Sequence, residues 1–268
     1  MNKSIKQVHF EEKILNLLEG KAYDITSSIF ENEEIQALQD YCNSVSIKRL
    51  GYNDHGPVHM RKATLNAIVM FKLLSNSGIK FNLEKESLGS KEDCLIGIIL
   101  ASLFHDFGMS IARENHELMS VQLAMPYIRK YLDQVYDDYK VKTKMAVQSI
   151  AIEGIFGHMG SQTIHSLEAG LVLIADGADM EHGRARIPTL LASNPKPGDI
   201  HRTSANAIKK VRFEKGESKP IEIRVTMTAS VGFFQIEEVL FPKIVKSPVK
   251  KYIELYAGVE GRDYLKYL

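Results

Sequence analysis

Residues 92–107 read Glu-Asp-Cys-Leu-Ile-Gly-Ile-Ile-Leu-Ala-Ser-Leu-Phe-His-Asp-Phe, an apolar run from Leu95 to Phe104 that leads straight into His105 and Asp106. A helix that is apolar on every side has to be buried on every side. The stretch therefore predicts a central helix over 92–107, ended by Gly108. Its uninterrupted apolar part is ten residues long, about half of the ~20 that a bilayer span requires, so it reads as core.

Outward from this segment, apolar residues recur at helical spacing over 11–18 and 32–45. A turn-rich break at 51–57 ends in Pro57, which suits the first position of a helix because the N–H it lacks would be unsatisfied there anyway. That helix is predicted over 57–74, with Ala63, Ala67, Met70 and Leu74 facing inward. Asn115 is placed to cap a helix reaching 132, and helices over 144–156 and 167–180 complete the set. The segment 194–199, Asn-Pro-Lys-Pro-Gly-Asp, is the best linker in the chain. After it the pattern changes. Ile221, Ile223, Val225 and Met227 alternate with polar residues, as a strand buried on one face does. Ser230 can cap a helix over 231–241, beyond which Pro242 disfavours continuation, and 251–257 reads as a last strand. The expected fold class is mainly α: a helical domain over 1–200 followed by a small α+β domain of ββαβ type over 201–268.

The 268 residues are 44% hydrophobic and 25% charged, which excludes disorder, collagen-like repeats and a membrane protein. With 34 basic against 33 acidic side chains, nucleic-acid binding driven by bulk charge is a poor fit. Cys42 and Cys94 stand 52 positions apart without a CxxC, so there is neither a disulfide framework nor a zinc ribbon. The polar start offers no signal core, and the expected location is cytoplasmic.

Nine histidines are the less ordinary figure, and seven of them lie between positions 55 and 182. An aspartate beside an imidazole at the mouth of the most apolar helix is costly to bury without a partner. A divalent metal supplies one, accepting imidazole nitrogen and carboxylate oxygen together. His59 and His116 fall in first turns of predicted helices, and His158 sits between Gly157 and Met159. Asp176 is the single acid in the apolar run Leu171 to Ala178. Each alone has an ordinary explanation as a hydrogen-bonded side chain; together, at helix ends and in apolar segments, they point to a metal centre.

This ordered set, carried by HGPVHMRKA (55–63), ASLFHDFG (101–108), NHELMSVQLA (115–124), FGHMG (156–160) and LIADGADMEHGRARIP (173–188), resembles the HD-domain superfamily of metal-dependent phosphohydrolases. The resemblance spans about 130 residues of the helical part and implies an all-α bundle whose helices converge on the site. By position, His59, His105, Asp106 and Asp176 match the basic ligand set, and His116 and His158 the further ligands of two-metal members, with Asp106 as the bridging carboxylate. The implied cofactors are two divalent ions, iron or manganese first, with magnesium, nickel, cobalt or zinc as alternatives. The implied reaction is attack on phosphorus by a metal-activated hydroxide. Arg61, Lys62, Arg184 and Arg186 are candidates to meet the phosphoryl oxygens, Arg184 first among them. Where many two-metal members read HDxGK, this chain has Met109, which puts that lysine's role in doubt. A single His158 where cyclic-dinucleotide phosphodiesterases carry paired histidines weakens that assignment.

His165 lies 11 positions before Asp176, roughly three helical turns, and is a candidate general acid unless Ser166 caps the helix and leaves it outside. His55 is a candidate substrate contact, while His9, His182 and His201 read as surface residues. The expected partner is a small phosphate ester, a phosphomonoester or a small cyclic phosphodiester of nucleotide or pterin type. A di-iron oxygenase on the same ligands and a non-catalytic binding or signalling module are the competing readings. The C-terminal unit is outside the resemblance and suits a homodimer contact, a cover for the site or a partner surface.

Overall fold

The computed structural model describes residues 3–181 and 200–268; the expected linker at 194–199 lies outside them. Along the chain come α1 (Ile5–Leu15), α2 (Gly20–Glu31), α3 (Glu33–Ser44), α4 (Pro57–Asn76), the single turn α5 (Asn82–Lys85), α6 (Lys91–Phe104), α7 (His116–Val135), α8 (Val141–Gly157) and α9 (Leu167–Gly177). After these stand α10 (Ile200–Asn206), β1 (Ile208–Glu214), β2 (Ile221–Met227), α11 (Phe241–Lys246), β3 (Ile253–Val259) and β4 (Leu265–Lys266).

A capping box starts α6: Ser90 Oγ accepts from the Asp93 N–H, and Asp93 Oδ2 accepts from the Ser90 N–H at 2.7 Å. From there Ile96, Ile98, Ile99, Leu100, Leu103 and Phe104 are fully buried, each stabilising the fold by about 1.5–3 kcal/mol relative to exposure. Their partners are α2, α4, α8 and α9, which surround the helix. The run Lys91–Ser110 has the length and hydropathy of a membrane span, but 94% of its most apolar window is buried inside the fold, so protein already fills the role lipid would.

The sheet has the order β1-β2-β3-β4, with β1 and β2 antiparallel, β2 and β3 parallel through the intervening helix, and β3 and β4 antiparallel. Ile221, Ile223, Val225 and Met227 point inward beside Ile253, Leu255 and Ala257. These join the bundle's apolar residues in one continuous core, so that core crosses the boundary expected at 200/201. A mainly helical chain with a small C-terminal α+β unit is what the periodicities predict, and the short edge strand β4 is an addition to ββαβ.

Four local differences have physical causes. Helix α2 went unread because Ile-Thr-Ser-Ser-Ile has weak intrinsic helix preference; packing of Ala22, Ile25 and Ile29 overrides it. Asn115 precedes α7 as expected but has φ 55°, a left-handed conformation that asparagine tolerates, and its side chain makes no capping bond. The last strand begins at Ile253, not 251, because residues Lys250–Tyr252 form a 3-10 turn. Pro242, finally, does not end its helix. A π turn over Ile236–Leu240 precedes it, Pro242 enters α11 in its first turn, where a missing N–H is harmless, and the chain stays helical through Lys246. That continuation carries two lysines to the site described next.

Candidate metal centre

Five helix ends meet at one place. His59 lies in the first turn of α4 and His116 begins α7; His105 and His158 are the C-terminal caps of α6 and α8, and Asp176 stands in the last turn of α9. Three of these ends are helix C-termini, whose partial negative charge favours a cation. The geometry of the turn after α6 depends on Gly108, where a Cβ would lie 2.0 Å from the His116 carbonyl oxygen; the glycine lets the His105-Asp106 turn press against the start of α7.

All four imidazoles are turned the same way. The Nδ1 of His105, His116 and His158 meets the carbonyl of Ser102 (2.8 Å), Arg113 (2.8 Å) and Ile155 (2.6 Å), and that of His59 meets Asp179 Oδ2 at 2.7 Å. With the proton on Nδ1 to serve these acceptors, each Nε2 carries a lone pair. Yet the Nε2 atoms of His59 and His105 are 3.1 Å apart, and those of His116 and His158 are 3.0 Å apart. All four rings are buried; burial pushes His158 down to about 4, whereas His116, despite its burial, is held above its ordinary value by the Asp106 carboxylate. Ring nitrogens aimed at one another at this distance in a buried cluster call for a cation between them.

Asp106 joins the two pairs. Its Oδ2 is 3.3 Å from Nε2 of both His59 and His105, and its Oδ1 is 3.3 Å from His116 and 3.5 Å from His158. Oδ2 is buried without a hydrogen-bond partner, which a native structure rarely leaves unexplained. Asp176 Oδ1 completes the first group at 3.2 Å from His59 and 3.8 Å from His105. The ligand atoms of His59, His105 and Asp176 lie within 4.8 Å of one another, as do those of His105, Asp106 and His158. Burial alone would raise both carboxyls; for Asp106 the neighbouring imidazoles outweigh it, and for Asp176 the Lys243 ammonium and the imidazoles do, so both sit well below the usual carboxylate range. Two carboxylates and four imidazole Nε2 atoms gathered in one buried cluster are the donor set of a divalent metal.

Asp106 and Asp176 face a cavity of about 690 Å³, walled by Tyr52, His55, Met180, Val239 and Pro242 and bearing the cations Arg113, Lys243 and Lys246. A neighbouring cavity of about 390 Å³ shares Arg113, Met159 and Lys246 and reaches His116.

Over 255 residues the chain is 36% identical to the uncharacterized protein MJ1020 of Methanocaldococcus jannaschii, which covers 95% of each chain. The chain belongs to the family of that archaeal protein. No family model matches the chain, and no solved structure matches it.

Within this family member the six residues expected to bind metal, His59, His105, Asp106, His116, His158 and Asp176, are brought into one cluster. The expected anion contacts are placed differently. Arg61 is buried away from the cavity, donating to Glu11 (2.6 Å), Gln39 (2.6 Å) and the Pro57 carbonyl (3.2 Å) and lying over the Phe30 ring. Lys62 lines a separate small cleft beside Phe10, with Nζ 3.6 Å from Glu181. His165 precedes α9, is exposed, and is absent from the cavity wall; Ser166 caps that helix by accepting from the Ala169 N–H at 3.0 Å. Arg184 and Arg186 lie outside the described residues, as does His182. His55 lines the main cavity, and Met109, where a lysine was missed, is buried in the core.

Sequence reading passed over Asp179, Arg113, Lys243 and Lys246. Asp179 had a signal, since it follows Asp176 by three positions, the spacing of one helix face. Its bond to His59 Nδ1 sets that ring's tautomer and aim, and loss of such a partner behind a ligand typically costs roughly 10–100-fold in metal affinity. Asp179→Asn is expected to weaken Mn²⁺ binding by about that factor while leaving the number of ions bound unchanged, read by titration calorimetry. An unaltered affinity would mean that His59 is held by packing alone.

Proposed function

We propose that this chain is a metal-dependent phosphohydrolase of the HD-domain superfamily, cleaving a phosphomonoester or a small cyclic phosphodiester of a nucleotide- or pterin-like molecule. The observation that carries the reading is the pair of facing Nε2 contacts bridged by the two oxygens of Asp106. On it, His59, His105, Asp176 and Asp106 Oδ2 would hold one divalent ion, and His116, His158 and Asp106 Oδ1 the second. Bound ions of this kind lower the pKa of water toward neutrality and polarise phosphoryl oxygens.

The chain's own side chains supply the rest. Asp106 and Asp176 stay ionised through the neutral range, since both carboxyls are held well below it. Asp179 keeps His59 in the ligating tautomer. Arg113, stacked 5.6 Å above the Tyr52 ring, and Lys246 put positive charge on the cavity wall, favouring an anion over the acidic floor. Tyr52, Met180, Val239 and Pro242 give the organic part of the ester an apolar surface, in the manner usual for small-molecule sites. The cavity of about 690 Å³ is of the size that such ligands occupy.

The test is a panel of phosphate monoesters and cyclic phosphodiesters presented to manganese- and iron-loaded protein, with phosphate release and oxygen uptake followed together. Metal-dependent ester hydrolysis without oxygen uptake is the expected result. Oxygen consumption without hydrolysis would replace the reading with that of a di-iron oxygenase.

A further inference from the structure

The most deeply placed cation at the site comes from outside the helical bundle. Lys243, on α11 of the C-terminal unit, has a side chain only 12% exposed. Its Nζ pairs with Asp176 Oδ2 and donates to the His158 carbonyl at 2.8 Å, so one ammonium ties together two elements that carry metal-binding residues. The fold makes room for it. A Cβ on Gly177 would lie 2.7 Å from Lys243 Cδ; the lysine stem reaches the centre by crossing the one side-chain-free position after Asp176. The π turn and Pro242 set the direction of α11.

We infer that Lys243 is an anion-binding residue of this site: its ammonium holds a phosphoryl oxygen of the substrate while staying paired with Asp176 Oδ2. The inference rests on the phosphohydrolase reading above. An ammonium has three N–H donors, and the two partners Lys243 meets among the described residues account for two. The third is available to the cavity that Lys243 lines. Arg113 and Lys246 line the same cavity, with no carboxylate ion-pair partner among the described residues; with Lys243 they outnumber the acid on that wall, Glu238. The ligand class is a phosphate group, met through charge-assisted hydrogen bonds. Sequence gives the same position a rationale, because the cation missing at Met109 is supplied from the other end of the chain.

The experiment measures inorganic phosphate binding to the Mn²⁺-loaded full-length protein, in the wild type, Lys243→Met, Lys243→Arg and Gly177→Ala, with Lys250→Met as a remote control. Mn²⁺ stoichiometry and thermal melting are recorded alongside. In Lys243→Met, phosphate affinity is expected to fall about tenfold or more, the scale of one lost hydrogen bond to a charged group. Mn²⁺ should bind as well as before or better, because a competing positive charge has gone. Lys243→Arg keeps part of the phosphate affinity, and Lys250→Met keeps all of it. Gly177→Ala, which displaces the stem without removing the charge, should reproduce the loss, and it decides the matter if Lys243→Met does not fold. Phosphate affinity changed less than tenfold in folded Lys243→Met, or in Gly177→Ala where Lys243→Met does not fold, or a wild type that binds Mn²⁺ but not phosphate, would overturn the inference alone. A wild type that binds no Mn²⁺ and hydrolyses no ester would overturn the phosphohydrolase reading first.

Discussion

In an Asp106→Asn protein, Mn²⁺ binding is expected to fall at both halves of the centre together, by more than the roughly 10–100-fold that loss of a partner behind a ligand costs, and ester hydrolysis with it. Among the described residues its side chain is the one carboxylate that lies within 3.5 Å of all four Nε2 atoms, so neutralising it removes the shared charge and not one ligand of one ion. Excess Mn²⁺ should raise the wild-type melting temperature and leave the variant's almost unchanged. An Asp106→Asn protein that Mn²⁺ stabilises as much as it does wild type would mean that Asp106 is not shared between the two halves.

Arg61→Ala should be the most damaging single change away from the cluster. Arg61 is 1% exposed and ties α4 to Glu11 of α1 and to Gln36 and Gln39 of α3. Burial lowers the guanidinium's pKa, opposed by Glu11. Breaking a buried pair by removing one partner costs about 3–5 kcal/mol. Lys3 and Gln7 still hold Glu11, at 2.7 and 3.2 Å, so the lower figure applies: about 3 kcal/mol, or about 6 °C or more in melting temperature. Phosphate affinity and Mn²⁺ stoichiometry should not move. A stable Arg61→Ala protein with weakened phosphate binding would return this residue to the substrate.

Arg61 also shows where sequence legibility stops. It lies two positions from His59, and nearness in sequence suggested a shared task; on a helix, residues two apart face different ways, and Arg61 turns to α1 and α3. Helix α6 was legible because it is apolar on every side and can only be central. The six candidate ligands were legible because each breaks a local pattern, at a helix end or inside an apolar run. Lys243 breaks none. It is one lysine among several in a basic tail, and it reaches Asp176 across 67 residues through a helix that a proline was expected to close. The π turn that keeps that helix running has no clear compositional mark. Asp179 stands just past the apolar run Leu171 to Ala178 that makes Asp176 conspicuous, so it breaks no pattern of its own.

The central claim, that the facing histidine pairs and Asp106 make a two-metal centre, is tested most directly by counting ions: elemental analysis of anaerobically purified protein, followed by Mn²⁺ titration of the stripped chain. Two ions per chain, lost in Asp106→Asn, is the predicted result. A stripped wild-type chain that takes up no divalent ion at neutral pH would contradict it.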